Sequence, residues 1–150
     1  MQWDWTSSVV ATFILAFIAV LAIVVPMIRN WFQAEKERKK LALDHIIQWA
    51  ETALAIITKY PSVYFEELED LLVQANVLKA ERFTVIIEAE SFSQNFKTLV
   101  NDATKRLDDF VQQADRHIGM GRKQRIEVPT ELESTFECLI KTTAKLRKSL

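Results

Sequence analysis

From Val9 to Ile28 the chain reads VVATFILAFIAVLAIVVPMI, a run without a single ionisable side chain. A helix rises about 1.5 Å per residue, so about 20 residues reach roughly 30 Å, the thickness of a bilayer's hydrocarbon core. In that core every peptide N–H and C=O must be bonded within the segment, and a helix achieves this by itself. Trp3 and Trp5 precede the run, and Trp31 and Phe32 follow it. Aromatic rings at both ends suit the two headgroup levels. A core helix of a globular domain would be shorter or carry a polar stripe. A cleaved signal would open with basic residues and close on a small-residue cleavage site. Here the front end, MQWDWTSS, carries Asp4 and no Lys or Arg, and the run closes on PMIRN. Residues 1–29 therefore read as a flank and an uncleaved transmembrane helix in the lipid bilayer.

The flanking charges predict the topology. Arg29, Lys36, Arg38, Lys39 and Lys40 all follow the span, and no cation other than the amino terminus precedes it. The positive-inside rule then places the N-terminus outside and the remainder in the cytoplasm, under the cell's inner membrane. The same cations would lie at headgroup level, where each adds about 1 kcal/mol of attraction to anionic lipid. Setting orientation is the simpler role for them. Pro26 removes one backbone hydrogen bond near the inner end and can kink the helix. There is no GxxxG, but Ser8, Thr12 and Ala16 recur at four-residue steps, a small-residue stripe that lets two helices approach.

Beyond the span, residues 30–40 form a basic juxtamembrane stalk, and residues 41–150 carry helical patterning. The whole chain has 2 Gly and 3 Pro, which argues against turn-rich β architectures. Ala42, Ile46, Trp49, Ala50, Ala53, Ile57 and Tyr60 fall at helical spacing up to Pro61, and Ser62 is placed to cap the next helix. Phe65, Leu68, Leu71, Leu72, Ala75 and Leu78 make the next apolar side. Residues 82–89 contain Thr-Val-Ile-Ile, which has strand propensity. A lone short strand would lack a partner, so a helix is expected. Phe92, Phe96, Leu99, Ala103, Leu107, Phe110, Ala114 and Ile118 define a long helix, with Ser91 and Gln94 as a capping box and Gly119 and Gly121 at its end. Thr130 and Glu133 match a second capping box. After it, Leu132, Phe136, Leu139, Thr143, Leu146 and Leu150 step 4, 3, 4, 3, 4 like a coiled-coil seam. The expected fold is all-α: one N-terminal transmembrane helix followed by a cytoplasmic four- or five-helix antiparallel bundle.

Candidate chemistry is sparse. The formal net charge is -1, which gives no overall basic field for nucleic acid. Arg116, Arg122, Lys123 and Arg125 form a local basic patch, but no aromatic residue is interleaved to stack a base. The single Cys138 excludes an internal disulfide and a Cys-based zinc site, and it reads as a core filler beside the last seam. His45 and His117 have no His or Cys at ligand spacing. Gly119 and Gly121, the two glycines, fit neither the G-x-x-x-x-G-K-[ST] nor the G-x-G-x-x-G phosphate-binding pattern. No catalytic, cofactor or metal site, nucleic acid or small-molecule substrate is expected, and the chain does not read as an enzyme.

Two resemblances bear on function. Arg38 and His45 are separated by six residues and fit the loose Arg-x(4–6)-His spacing of the HEPN ribonuclease superfamily, which is also all-helical. In that family the pair lies in a late helix beside a polar residue; here it lies early, next to the span, and Lys39 follows the arginine. The order outer tryptophan, apolar span, proline, inner tryptophan and basic amphipathic helix is similar, over the first half of the chain, to that of some phage holins. That second resemblance implies an oligomeric, membrane-permeabilising effector of holin or antiviral-defence type. The residues themselves point first to a membrane-anchored structural or interaction protein, an accessory subunit or scaffold. Its helical domain would bind a second copy or a membrane-complex partner. Ile46, Trp49, Ala53 and Ile57, on a helix apolar around more than one face, are the expected partner face.

Overall fold

The computed structural model describes residues 5–60, 65–119 and 128–150. It is helical throughout these segments: α1 (Trp5–Lys59), α2 (Phe65–Ala89), α3 (Gln94–Gly119) and α4 (Thr130–Ser149). No strand occurs among the described residues, and residues 82–89 belong to α2. Their β-branched side chains are accommodated because Val85 and Ala89 pack into the core, and burial outweighs intrinsic propensity. The chain divides into two compact units, Met1–Arg38 and Lys39–Leu150.

In the first unit α1 continues through Pro26 without ending. Proline lacks the N–H that would bond the carbonyl of Ala22, so one ladder bond is missing there.

In the second unit the last part of α1 buries Leu43, Ile46, Ala50, Ala53, Ile57 and Tyr60, a run of three- and four-residue steps. Trp49 and Ile56 widen it. Contacts with the other helices run in opposite order along the chain. Asp44 pairs with Arg147, and Trp49 packs at a tilt against Phe136, so numbers fall along α4 as they rise along α1. His45 meets Glu88 and Trp49 meets Leu78, so α2 also runs against α1. Arg82 and Lys79 hold Asp108, and Lys97 holds Glu90, across α2 and α3. Arg106 meets Glu131 between α3 and α4. Together these contacts make a helical bundle with one continuous hydrophobic core.

The α2–α3 connection needs no glycine. The amides of Glu90 and Phe92 donate to the carbonyls of Ile87 and Ala89, each at 3.1 Å, and the rings of Phe92 and Phe96 meet edge to face. Both expected capping boxes are corrected. The hydroxyl of Ser91 donates back to the Glu88 carbonyl at 3.2 Å, while α3 begins at Gln94 and its first turn bonds Lys97 N–H to the Ser93 carbonyl. Pro129, at φ -60 and ψ 125, is the N-cap of α4 and makes no side-chain cap bond, so Thr130 is already helical. Proline before Thr130 fixes the extended entry that a capping side chain would otherwise select. Glu131 and Glu133 in the first turn of α4, and Arg147 and Lys148 in the last, complement the helix dipole. Pro61 and Ser62 lie outside the described residues.

Candidate membrane anchor and interaction surface

Among the described residues, the large side chains of the stretch Val9–Ile28 are exposed. α1 is long and apolar enough to cross a membrane. Leaving a large apolar side chain in water forgoes about 1.5–3 kcal/mol. Over this stretch the sum is tens of kcal/mol, more than the roughly 5–15 kcal/mol that holds a domain folded. A stretch of this length and composition suits the apolar core of a bilayer.

Thr12 and Ala16 of the small-residue stripe lie exposed on α1; the side chain of Ser8 is outside the described residues. Trp31 and Phe32 are also exposed, with ring centroids 5.2 Å apart in an edge-to-face arrangement. Trp3 lies outside the described residues, and of Trp5 only the helical backbone is described. Arg29, Lys36 and Arg38 are exposed, whereas Lys39 and Lys40 are half-buried.

The expected partner face is corrected. Ile46, Ala53 and Ile57 are 0% exposed and Trp49 only 2%, all within the chain's own bundle. Trp49 is pinned there, its indole N–H donating to the Leu78 carbonyl at 3.0 Å. A helix apolar on two sides reads from sequence as one that needs an outside partner. Here the chain's own bundle supplies those sides, with α2 meeting α1 at His45 and Trp49 and α4 meeting it at Asp44 and Trp49. Cys138 is corrected in the opposite sense. It is exposed, one residue away from the buried Leu139, with Thr142 Oγ1 at 4.0 Å.

The outward apolar surface lies on α2. Val73, Val77, Phe83 and Ile87 are each more than half exposed. Val73, Val77, Ala80, Thr84 and Ile87 step 4, 3, 4, 3, and all five are exposed. That is the spacing of a helix-packing seam, and Phe83 lies beside it. The Arg82 guanidinium sits 4.8 Å from the centre of the Phe83 ring. Next to the seam a groove is lined by His45, Gln48, Trp49, Gln74, Val77 and Glu81. The signal was present in the sequence as Val73, Val77 and Ile87, but α2 is apolar on both sides and periodicity alone could not say which side faces in.

The polar groups are engaged in packing. His45 Nδ1 lies 2.7 Å from Glu88 Oε2. Asp108 receives Lys79 at 2.8 Å and Arg82 at 2.6 Å. The Lys79 ammonium does most to hold the Asp108 carboxyl below its ordinary range, against the opposing effect of burial and with Arg82 adding to it. Burial raises the Tyr60 hydroxyl above its usual value, and its ring packs edge to face on Phe110 at 5.0 Å. Arg116 is exposed, while Arg122, Lys123, Arg125 and the side chain of His117 lie outside the described residues. Among the described residues no group of three or more His, Cys, Asp or Glu is placed to hold a metal ion. Comparison with protein-family models, with curated proteins and with solved structures gives no match, so a functional reading rests on the residues and geometry of this chain.

Proposed function

We propose that this protein is a single-pass, membrane-anchored interaction protein. In this reading α1 spans the cell's inner membrane with the N-terminus outside, and the antiparallel bundle lies in the cytoplasm and docks a membrane-confined partner. The observation that carries the reading is the exposed seam on α2, with Phe83 beside it, on a bundle whose other large apolar side chains among the described residues, Leu41 apart, are buried or half-buried. Burying Val73, Val77, Phe83 and Ile87 against a facing helix is worth roughly 4–8 kcal/mol, at about 1–2 kcal/mol for each part-exposed side chain. The entropy of association offsets much of that gain. Such a surface binds best when both partners share one membrane, which raises their effective concentration.

The test is site-specific photocrosslinking in cells from Val77 and Phe83 of the full chain, with Gln112 on α3 as an exposed control. The reading expects one or a few discrete crosslinked species from the α2 positions and none from position 112. With the probe at position 83, Val77→Asp should abolish the crosslinked species. Crosslinking at α2 no stronger than at position 112 would sink the docking function.

A further inference from the structure

One face of α1 at the end of the apolar stretch carries two cations and no acid. A shallow groove there is lined by Val25, Ile28, Arg29, Phe32, Gln33 and Lys36. Its apolar end, Val25 and Ile28, continues the span, and Phe32 lies between the two cations. Arg29 and Lys36 are two helical turns apart, about 10 Å along the axis, and therefore project from the same side of α1. Among the described residues neither meets a carboxylate. Glu35 and Glu37, the acids of this segment, do not line the groove. A guanidinium at the edge of a hydrocarbon layer needs an anion or water for its five donors, and its planar fork matches phosphate oxygens.

We infer that this groove binds an anionic glycerophospholipid. Its phosphodiester meets Arg29, its polar head extends past Phe32 and Gln33 to Lys36, and an acyl chain lies along Val25 and Ile28. The inference rests on the membrane-spanning reading of α1. It goes beyond that reading because topology requires only that cations follow the span, whichever way they face. The geometry puts both on one acid-free face joined to an apolar track. The shared chemistry is a phosphate monoanion; the apolar end of the groove assigns it to a lipid rather than to free phosphate.

The test uses the full chain with Trp3→Phe, Trp5→Phe, Trp31→Phe and Phe32→Trp, which puts the reporting indole on the lining of the groove itself, since Trp49 is buried in the bundle. The protein is reconstituted into vesicles mixing phosphatidylcholine and phosphatidylglycerol, with one or the other lipid brominated. Quenching at position 32 then reports which lipid occupies the groove. A preference for phosphatidylglycerol is expected, falling about fivefold on Arg29→Gln and again on Lys36→Gln. Fivefold corresponds to about 1 kcal/mol, the attraction of one cation at the headgroups. The double change Arg29→Gln/Asn30→Lys keeps the net charge but moves it to another face, and it should lose the preference as Arg29→Gln does. Retained preference in that variant would reduce the effect to diffuse surface attraction and overturn the site. Displacement by millimolar inorganic phosphate would overturn the lipid assignment. Equal quenching by both brominated lipids removes the site but leaves the anchor standing. No quenching by either removes the anchor and the site together.

Discussion

Trp49 is the residue on which three helices depend. Its N–H reaches the Leu78 carbonyl of α2 at 3.0 Å, and its ring centroid lies 5.6 Å from that of Phe136 on α4. Trp49→Ala should cost about 3–5 kcal/mol from lost burial and the cavity left behind. Trp49→Phe keeps most of the packing and loses the hydrogen bond, for about 1 kcal/mol. Urea unfolding of the detergent-solubilised full chain, followed by near-ultraviolet circular dichroism, measures both; equal losses in the two variants would contradict this division. Asp108 gives a second prediction. Its carboxyl is held below its ordinary value by Lys79 and Arg82. A group whose folded pKa is depressed adds stability that is complete above its unfolded value, about 3.9, and that disappears as pH falls through the folded value. Asp108→Asn should therefore lower stability by about 1–2 kcal/mol at neutral pH. The gap to wild type should close in acid below about pH 4, and a gap that stays constant down to pH 2 would refute the assignment.

At the scale of elements, α4 and α2 make opposite use of similar patterns. The α4 seam turns inward: Leu132, Phe136, Leu139 and Thr143 are buried, and Leu146 and Leu150 pack against the core. Thr143 is fully buried and donates to the Leu139 carbonyl at 2.6 Å, so its hydroxyl is satisfied without leaving the helix. The α2 seam turns outward, while Leu71, Leu72, Ala75, Leu78, Val85 and Ala89 face the core. Substitutions on the outer side should leave the fold almost untouched. Val77→Asp and Phe83→Ser are expected to shift unfolding by no more than about 0.5 kcal/mol, as surface changes generally do. Val85→Asp, one helical face away, should unfold the bundle, since it buries an unpaired carboxylate. Comparing thermal melts of the three variants checks the orientation of α2. A Val77→Asp melt as low as that of Val85→Asp would show the outer face to be packed.

For the whole molecule, the decisive quantity is the apolar surface of α1 that the chain leaves uncovered. A cation in the middle of a span costs about 2.5–3.5 kcal/mol on insertion scales. Ile18→Arg alone should weaken membrane integration, and Ile18→Arg with Leu15→Arg should abolish it. Alkaline carbonate extraction of membranes reads this as a shift of the protein from pellet to supernatant. A double variant that stays in the pellet would mean that something other than the span holds the chain there. The bundle should keep its helical circular dichroism in either variant, because its core draws on residues from Leu43 onward.

The sequence by itself determined the helical class, the extent of the apolar run and the inward side of α4. Each of these depends on a local pattern, and a strong one-sided pattern at helical spacing has a single solution. It also placed most of the inner face of α3: Phe96, Ala103, Leu107, Phe110 and Ala114 are buried. Only the tertiary structure decided what became of the two helices that are apolar on more than one side. It buried Ile46, Trp49, Ala53 and Ile57 within the chain's own bundle and left Val73, Val77 and Ile87 outside. Periodicity ranks the faces of one helix but carries no information about how many neighbours that helix will have. The same limit explains Cys138 and the caps. Exposure beside a seam, and the choice of Pro129 over Thr130 as N-cap, depend on where the chain enters the bundle rather than on the residues at that point.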